Sequence, residues 1–171
     1  PPRTAPARVS GAAPAGGPRR AQGLRRADTV FRRLRGMMGP PAWRKKVLVI
    51  GEDDEPIALL LRDSINDEVG YQAVVVPDGA LVIETVRQVH ADLLILDIMM
   101  PGLSGFEVYD RIVEDESIRN MPVLFVSAAA KQFEAEFASR KIGDIIPKPF
   151  DLNELLDRVK ALCPANAEPA T

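Results

Sequence analysis

The stretch LLILDIMMPGLSG, residues 93–105, decides the fold class. Four apolar residues run without interruption and stop at Asp97, and a turn containing Pro and Gly follows. An apolar run of this kind is typical of a strand that is covered on both faces of its sheet. A carboxylate at the end of such a strand is either a turn former or a functional group, and the rest of the sequence has to distinguish these two interpretations.

Outward from this stretch, four other short β-branched runs alternate with amphipathic segments of helical length. The runs are KVLVIG, QAVVVP, MPVLFVS and GDIIPK, and helices are predicted over residues 55–69, 79–90, 105–116, 130–140 and 151–162. Helix-length connections between buried strands indicate parallel pairing with right-handed crossovers. The sequence therefore predicts a doubly wound α/β domain with five parallel strands, five helices and three layers.

Charge is divided unevenly along the chain. Residues 1–46 hold 12 of the 22 Lys and Arg residues and one acid, Asp28, whereas the remainder carries 10 basic and 23 acidic residues. We expect so acidic a segment, residues 47–171, to repel nucleic acid and anionic membranes. Because residues 1–43 are rich in Pro, Ala, Gly and Arg, we expect a disordered arm there. In an alternative interpretation, translation starts at Met37 or Met38.

The length of 171 residues fits one domain of ordinary size, which we expect over residues 45–162 with a short tail over 163–171. A single cysteine, Cys163, excludes an intrachain disulfide and fits a reducing compartment. No apolar run approaches the roughly 18 residues that a membrane-spanning helix needs. We therefore expect a cytoplasmic protein without a membrane partner.

Polar residues follow four of the five predicted strands at the point where each strand ends. They are Glu52, Asp53 and Asp54 after the first strand, Asp97 after the third, Ser127 after the fourth and Lys148 after the fifth. The carboxyl ends of parallel strands share one edge of the sheet, where ligands bind. Clustered carboxylates need a cation and suit Mg²⁺, while a lysine and a hydroxyl can hold phosphoryl oxygens.

Each of these residues also has an ordinary structural explanation. Acids before a helix interact favourably with its dipole, Asp97 can belong to a plain turn, and Ser127 can cap a helix. A single surface lysine, such as Lys148, indicates little by itself. Turns and caps do not explain why such residues end four separate strands, so the set favours a site for a divalent cation and a phosphoryl group.

Over residues 45–162 the chain resembles the receiver domain of bacterial two-component response regulators. The matching motifs are VLVIGEDDEPI, LLILDIMMPGLSGFEV, VLFVSA and KPF. The resemblance implies a flavodoxin-like fold with strand order 2-1-3-4-5. It also implies a phosphoprotein that takes part in a phosphorelay and is not an enzyme beyond its own phosphorylation and dephosphorylation.

The resemblance assigns a Mg²⁺ site to the acids. Asp53 and Asp97 would bind the ion directly, Glu52 would bind it through water, and the backbone carbonyl of Met99 would complete the protein ligands. A register in which Asp53 and Asp54 form the acid pair is the alternative. We prefer the pair of Glu52 and Asp53 because the spacing from Asp53 to Asp97 then agrees with the family.

The resemblance makes Asp97 the phosphoacceptor. The donor would be a histidine kinase or a histidine phosphotransfer protein. Ser127 would hydrogen-bond one phosphoryl oxygen, and Lys148 would pair with another after a cis bond to Pro149. The aspartyl phosphate would pull Ser127 inward and repack the face formed by the fourth helix, fifth strand and fifth helix.

The sequence departs from the family pattern at several positions. Ile145 occupies the switch position, which is normally aromatic, and Gly51 replaces a β-branched residue. Lys148 lies one residue nearer to Asp97 than expected, which predicts a shortened loop or helix between Ser127 and Gly143. The family tunes dephosphorylation at the positions of Met99 and Ala129, whose side chains cannot hydrogen-bond a hydrolytic water. We therefore expect a long-lived phosphoryl state.

Three functions compete. The first is a stand-alone receiver that signals to an unknown downstream protein, since nothing after Ala161 is long enough for a DNA-binding output domain. The second is a degenerate, non-phosphorylated receiver that serves as a docking or dimerisation module. The first and second functions are both compatible with a homodimer. The third is a magnesium-dependent phosphohydrolase, which would need an acid where Met99 stands. His90 is expected to face solvent or cap a helix, and Phe133 and Phe137 to face the core.

Overall fold

The structure is a computed structural model that describes residues 44–166. The arm predicted over residues 1–43 and the last five residues of the predicted tail lie outside this range. Five strands fall within it: β1 (Lys46–Gly51), β2 (Tyr71–Val76), β3 (Leu93–Leu96), β4 (Val123–Ser127) and β5 (Ile145–Pro147). Each coincides with one of the five apolar runs in the sequence.

The strands form one parallel sheet in the order β2-β1-β3-β4-β5. The predicted doubly wound fold and its strand order are therefore confirmed. Gly51 at the end of β1 pairs with Leu96 at the end of β3, and Ser127 pairs with Pro147 in the same way. This register brings the carboxyl ends of β1, β3, β4 and β5 to a common edge, where the polar residues follow.

Five helices connect or follow the strands in the described part of the chain. They are α1 (Glu55–Asp67), α2 (Gly79–Val89), α3 (Gly105–Glu114), α4 (Glu134–Ser139) and α5 (Leu152–Leu162). Side chains cap four of them: Asp54, Asp78, Ser104 and Asp151 accept hydrogen bonds from backbone N–H groups of the first turn. Ser104 and Glu107 form a reciprocal capping box at the start of α3.

Two hydrophobic clusters cover the two faces of the sheet. The first core packs α1 and α5 on one face and contains Leu48, Leu61, Ile65, Leu155 and Val159. The second core packs α2, α3 and α4 on the other face and contains Val82, Phe106, Ile112, Phe125 and Phe137. Residues of each central strand alternate between the two cores, which explains why the strands are apolar almost throughout.

The fourth helix differs from the prediction. It begins at Glu134 instead of residue 130, and residues 128–133 form turns. The Ala129 N–H donates to Ser127 Oγ over 3.2 Å, and the Phe133 N–H donates to the Ala129 carbonyl over 3.2 Å. The chain forms turns directly after β4, and α4 has only six residues. The expected shortening of a loop or helix between Ser127 and Gly143, relative to the family, stays a prediction.

Residues 163–166 of the predicted tail contact the domain. Cys163 is buried in the first core, and its carbonyl accepts a hydrogen bond of 2.8 Å from the Tyr71 hydroxyl. Asn166 Nδ2 donates to the Arg44 carbonyl over 2.6 Å, and Arg44 forms a bidentate ion pair with Asp92, with distances of 2.8 and 2.9 Å. The domain therefore extends past residue 162.

Three side chains outside the predicted site also match their predictions. His90 is exposed and is the C-cap residue of α2, with a left-handed φ of 52°. Phe137 is buried, and its ring centroid lies 5.1 Å from that of Phe106. Phe133 packs edge-on against Phe106 at 5.6 Å. The histidine therefore belongs to a helix end, and both phenylalanines face the second core.

Candidate functional site

Three acids meet at the common edge of the strands. Glu52, Asp53 and Asp97 each offer a carboxylate oxygen, and these oxygens lie within 4.8 Å of one another. Glu52 is only 2% exposed and Asp97 only 6%, whereas Asp53 is exposed. The cluster therefore has two buried members and one open to solvent.

Lys148 reaches this cluster from the end of β5. Its Nζ lies 2.7 Å from Glu52 Oε2 and 2.8 Å from Asp97 Oδ2. Burial acts to lower the pKa of Lys148, but the hydrogen bonds to Asp97 and Glu52 outweigh it and raise the pKa overall. Lys148 thus stays a cation beside the acids. Burial raises the pKa of Glu52 despite the opposing hydrogen bond from Lys148.

Backbone groups fix the carboxylate of Asp97. Its Oδ1 accepts hydrogen bonds from the N–H groups of Ile98 and Met99 at 2.6 and 3.3 Å. Its own N–H donates to the Gly51 carbonyl over 2.9 Å, which ties it to the end of β1. With Oδ1 held by the backbone and Oδ2 by Lys148, the carboxylate of Asp97 is fixed in orientation.

Asp54, the second acid of the alternative register, has a different environment. Its side chain caps α1 by accepting a hydrogen bond from the Ile57 N–H over 3.1 Å. The acids that cluster with Asp97 are Glu52 and Asp53. This arrangement agrees with the register that the spacing favours, and it also explains why a third acid follows β1.

Ser127 is completely buried at the end of β4, and its Oγ accepts the hydrogen bond from Ala129 described above. The Ser127 carbonyl accepts a hydrogen bond of 3.0 Å from the Lys148 N–H, so the ends of β4 and β5 are directly joined. The Lys148–Pro149 peptide bond is cis. The hydroxyl thus forms a local turn contact, and its predicted contact with a phosphoryl oxygen stays a prediction.

Two further predicted positions contribute no side chain to the acid cluster. Met99 follows Asp97 by two residues and is 62% exposed, and its role as a carbonyl ligand stays a prediction. Ile145, at the predicted switch position, is partly buried against the second core and pairs with Phe125. It therefore packs in the core with no ring to rotate.

Gly105 supports the site and was not among the predicted residues. A Cβ at this position would collide with the backbone carbonyl of Asp97, and the Gly105 N–H donates to the Ile98 carbonyl over 2.9 Å. The start of α3 is thereby held against the backbone of the acid. The sequence signal was the glycine that follows Ser104 in the quoted stretch, but a glycine after a cap residue also occurs in ordinary turns.

The cluster fits a divalent cation by its chemistry. Three carboxylates and one ammonium leave an excess of two negative charges when all the acids are ionised, and oxygen donors are the ligands that Mg²⁺ prefers. Asp53 is open to solvent, which suits an ion that keeps several of its waters. Glu52, Asp53 and Asp97 are the residues that could hold it.

The chain belongs to the response regulator receiver domain family, whose model matches residues 47–160. This membership confirms the resemblance seen in the sequence. Receiver domains are phosphoacceptor signalling domains and not classical enzymes, and they bind Mg²⁺ at an acidic pocket. They take phosphoryl groups from histidine kinases. The acid cluster described above lies in the matched range.

Two curated relatives and one solved structure illustrate the similarity. The chain is 32% identical over 117 residues to the polar-differentiation response regulator DivK of Brucella ovis, covering 68% of this chain and 94% of DivK. It is 36% identical over 119 residues to the DNA-binding dual master transcriptional regulator RpaA of Synechocystis sp., covering 68% of this chain but only 48% of RpaA. A putative response regulator from Chloroflexus aurantiacus J-10-fl has 26% identity and a TM-score of 0.62, covering 70% of this chain and 98% of that one.

Within residues 44–166, no helix is both long and apolar enough to cross a membrane. The longest helix, α1, has 13 residues and carries charged side chains. About 20 apolar residues would be needed to span the hydrocarbon core of a bilayer.

Proposed function

We propose that this chain is a receiver that accepts a phosphoryl group on Asp97 and signals through contacts with other proteins. The observation that carries the proposal is the pair of contacts that Lys148 makes, because they bring the end of β5 to the carboxylate of Asp97 and to the acid cluster. In the sequence, Glu52, Asp97 and Lys148 lie far apart, each after a different strand. Their convergence supports chemistry at this one carboxylate.

The proposed reaction is an in-line displacement at phosphorus. An oxygen of Asp97 forms a new P–O bond while the P–N bond of a phosphohistidine donor breaks, and the departing imidazole takes up a proton. Mg²⁺, when bound by Glu52, Asp53 and Asp97, would neutralise negative charge on the phosphoryl oxygens. Lys148 would move from the carboxylate to a phosphoryl oxygen as a second cation, and the Ile98 N–H would keep Asp97 oriented.

Incubation with acetyl phosphate and Mg²⁺, followed by intact mass measurement, tests the proposal. We expect one added phosphoryl group in the wild type and none in Asp97→Asn, which keeps the shape of the side chain but removes the nucleophilic carboxylate. Gly143→Ala serves as a matched control, because a Cβ there has no neighbour within 4 Å. An adduct that persists in Asp97→Asn would show that another residue is modified.

The second candidate is a docking or dimerisation module that is not phosphorylated. Two observations favour it: Ile145 offers no aromatic ring at the switch position, and α4 is short. Under this alternative the wild type acquires no phosphoryl mass from any donor. A shift in its oligomeric state with concentration, measured by light scattering, would then support self-association.

A long-lived phosphoryl state is the companion proposal. Met99 follows the acceptor by two residues and is largely exposed, and Ala129 is partly buried within the turns after β4. Neither side chain can orient an attacking water. We expect Met99→Asn or Met99→Glu, which supply such a group, to shorten the lifetime of the acyl phosphate measured by mass after donor removal. A wild-type half-life of only seconds would contradict this proposal.

The donor in the cell would be a histidine kinase or a histidine phosphotransfer protein, and the setting would be the cytoplasm. The relatives include both a response regulator, DivK, and a DNA-binding regulator, RpaA. The chain spans about half of RpaA. Transfer from a panel of purified phosphorylated kinases, read at short times, would identify the donor with the fastest rate.

A further inference from the structure

Gly51 lies at the base of the acid cluster. It is the last residue of β1, it is buried, and Glu52 follows it directly. Its carbonyl accepts the hydrogen bond from the Asp97 N–H. Any side chain at this position would therefore point into space beside the phosphoacceptor strand.

Neighbouring side chains fill that space. A Cβ on Gly51 would lie 2.9 Å from Leu96 Cδ1, and 3.4 Å from both Met100 Sδ and Val82 Cγ2. Leu96 comes from the adjacent strand, but Met100 comes from the loop that follows Asp97. Met100 is partly buried against the second core, whereas its neighbour Met99 is largely exposed. The absent side chain of Gly51 thus leaves room for one residue of the phosphoacceptor loop.

We propose that Gly51 and Met100 act as positioning residues that set the orientation of the Met99 carbonyl. That carbonyl belongs to the peptide plane between Met99 and Met100, so fixing the Cα of Met100 restricts the plane. On the other side of Met99, Ile98 is buried. The loop is therefore anchored immediately before and immediately after the exposed residue. This inference rests on the proposed function, because it concerns the loop at which cation and phosphoryl group would bind.

The contact also explains the departure from the family pattern at this position. A Cβ at this position would already lie at contact distance from the Met100 sulfur, so the further methyl groups of a β-branched residue would crowd it. Met is flexible and fills irregular gaps well, so the pair of Gly51 and Met100 can replace a β-branched residue and a smaller loop side chain. In this chain the space beside the strand is filled from the loop instead of from the strand.

Gly51→Val tests the inference. The added methyl groups would displace Met100 and loosen the loop. We expect the amides of Ile98 and Met99, which donate to Asp97 Oδ1, to exchange with solvent about tenfold faster than in the wild type. We also expect phosphorylation by acetyl phosphate to need about tenfold more Mg²⁺ for half-saturation. An effect of this size is usual when a residue that supports a metal ligand is changed.

A double-mutant cycle separates positioning from general destabilisation. Met100→Ala should produce the same two changes as Gly51→Val, because each variant takes the Met100 thioether away from its place beside β1. The double variant should be no worse than either single one, because truncation of Met100 frees space for the added methyl groups. Gly143→Val provides the control for a β-branched residue replacing glycine, since position 143 has open space around its Cα; it should change neither measurement. Additive effects in the double variant would overturn the inference.

The two proposals fail in different ways. If the wild type acquires no phosphoryl mass, the proposed function fails, while the exchange of the Ile98 and Met99 amides still decides the role of Gly51. If Gly51→Val does not fold, Met100→Ala alone decides the inference, because it removes the side chain that lies beside Gly51. Unchanged amide exchange in Met100→Ala would overturn the positioning role.

Discussion

One helix on the second face of the sheet, α4, differs from the two helices on the first face in what stabilises it. On the first face, α1 and α5 have 13 and 11 residues, and Asp54 and Asp151 cap them. On the second face, α4 has six residues and no side-chain cap. A helix this short has little stability of its own. The first face is therefore specified by signals within its helices, whereas α4 depends on contacts with the rest of the fold.

The contacts that hold α4 are aromatic and ionic. Arg140, just after α4, makes two hydrogen bonds of 2.8 Å to the carboxylate of Asp110 on α3. Its guanidinium lies 4.8 Å from the centre of the Phe106 ring, an attractive cation–π arrangement. Phe137 packs edge-on against both Phe106 and Phe125. Because α4 follows the turns that begin after Ser127, the helix with the weakest local signals comes directly after one of the predicted site residues.

The largest test of this difference removes one core side chain from each face. Leu61→Ala in the first core should lower the free energy of unfolding by about 2–5 kcal/mol, and Phe137→Ala in the second by about 3–5 kcal/mol. The two variants should differ in where the structure opens. In Phe137→Ala we expect local opening of α4, seen as fast exchange of the Ile142 amide, which donates to the Phe137 carbonyl over 3.0 Å.

Urea unfolding and amide exchange together check this prediction. Leu61→Ala should increase exchange across the whole domain in proportion to its loss of stability, because α1 belongs to the cooperative unit. If Phe137→Ala increased exchange uniformly as well, the two faces would not differ in the way proposed here.

A smaller effect is expected from removing a helix cap. Asp151 accepts hydrogen bonds of 2.8 and 3.1 Å from the N–H groups of Asn153 and Glu154. Asp151→Ala should lower the stability by about 1 kcal/mol, the usual cost of losing an N-cap. Asp151→Asn, which can still accept these bonds, should retain most of it. Equal losses in the two variants would show that the charge, and not the cap, is responsible.

The smallest effect concerns the ion pair that holds α4. Asp110→Asn should cost under about 1 kcal/mol, because the Asp110 side chain is 47% exposed and water screens the pair. The hydrogen bond from Arg140 lowers the pKa of Asp110. Because the pKa of Asp110 is lower in the folded than in the unfolded state, the ion pair adds to the free energy of unfolding. This contribution is present above the unfolded-state pKa of about 3.9 and is lost as the pH falls through the folded-state pKa.

Urea titrations of the wild type and of Asp110→Asn at several pH values check this prediction. The difference in stability should be constant from neutral pH down to about 4.5 and should shrink below about 4. High salt should reduce it at neutral pH. A difference that persisted at low pH would indicate that packing of Arg140 on Phe106 is the larger contribution.

Most of the fold could be predicted because each strand is marked by its own apolar run and each connection by helical periodicity. The start of α4 could not be predicted in this way. The residues AAAKQ all favour a helix, yet Ser127 and Phe133 hold this segment in turns through hydrogen bonding and packing. Such contacts depend on the arrangement of β4 and α3, which local sequence preference does not report.

For the site, the sequence showed which strand ends carry acids and which carries the lysine. It did not show that Lys148 would contact Glu52, because the two residues are 96 positions apart. The contact of the Tyr71 hydroxyl with Cys163 spans 92 positions and was missed for the same reason. Polar residues that end strands are visible in a sequence; the pairs that they form follow from the strand order.

The hydrogen bond between Asn166 and Arg44 brings two positions at opposite ends of the described domain within 2.6 Å. Position 44 precedes β1, at the edge of the sheet away from the acid cluster. A short linker could therefore close the polypeptide into a ring there, and the ring could be opened at the exposed residues 119–120. The resulting circular permutant would begin with β4 and end with α3, and its acid cluster would be left undivided.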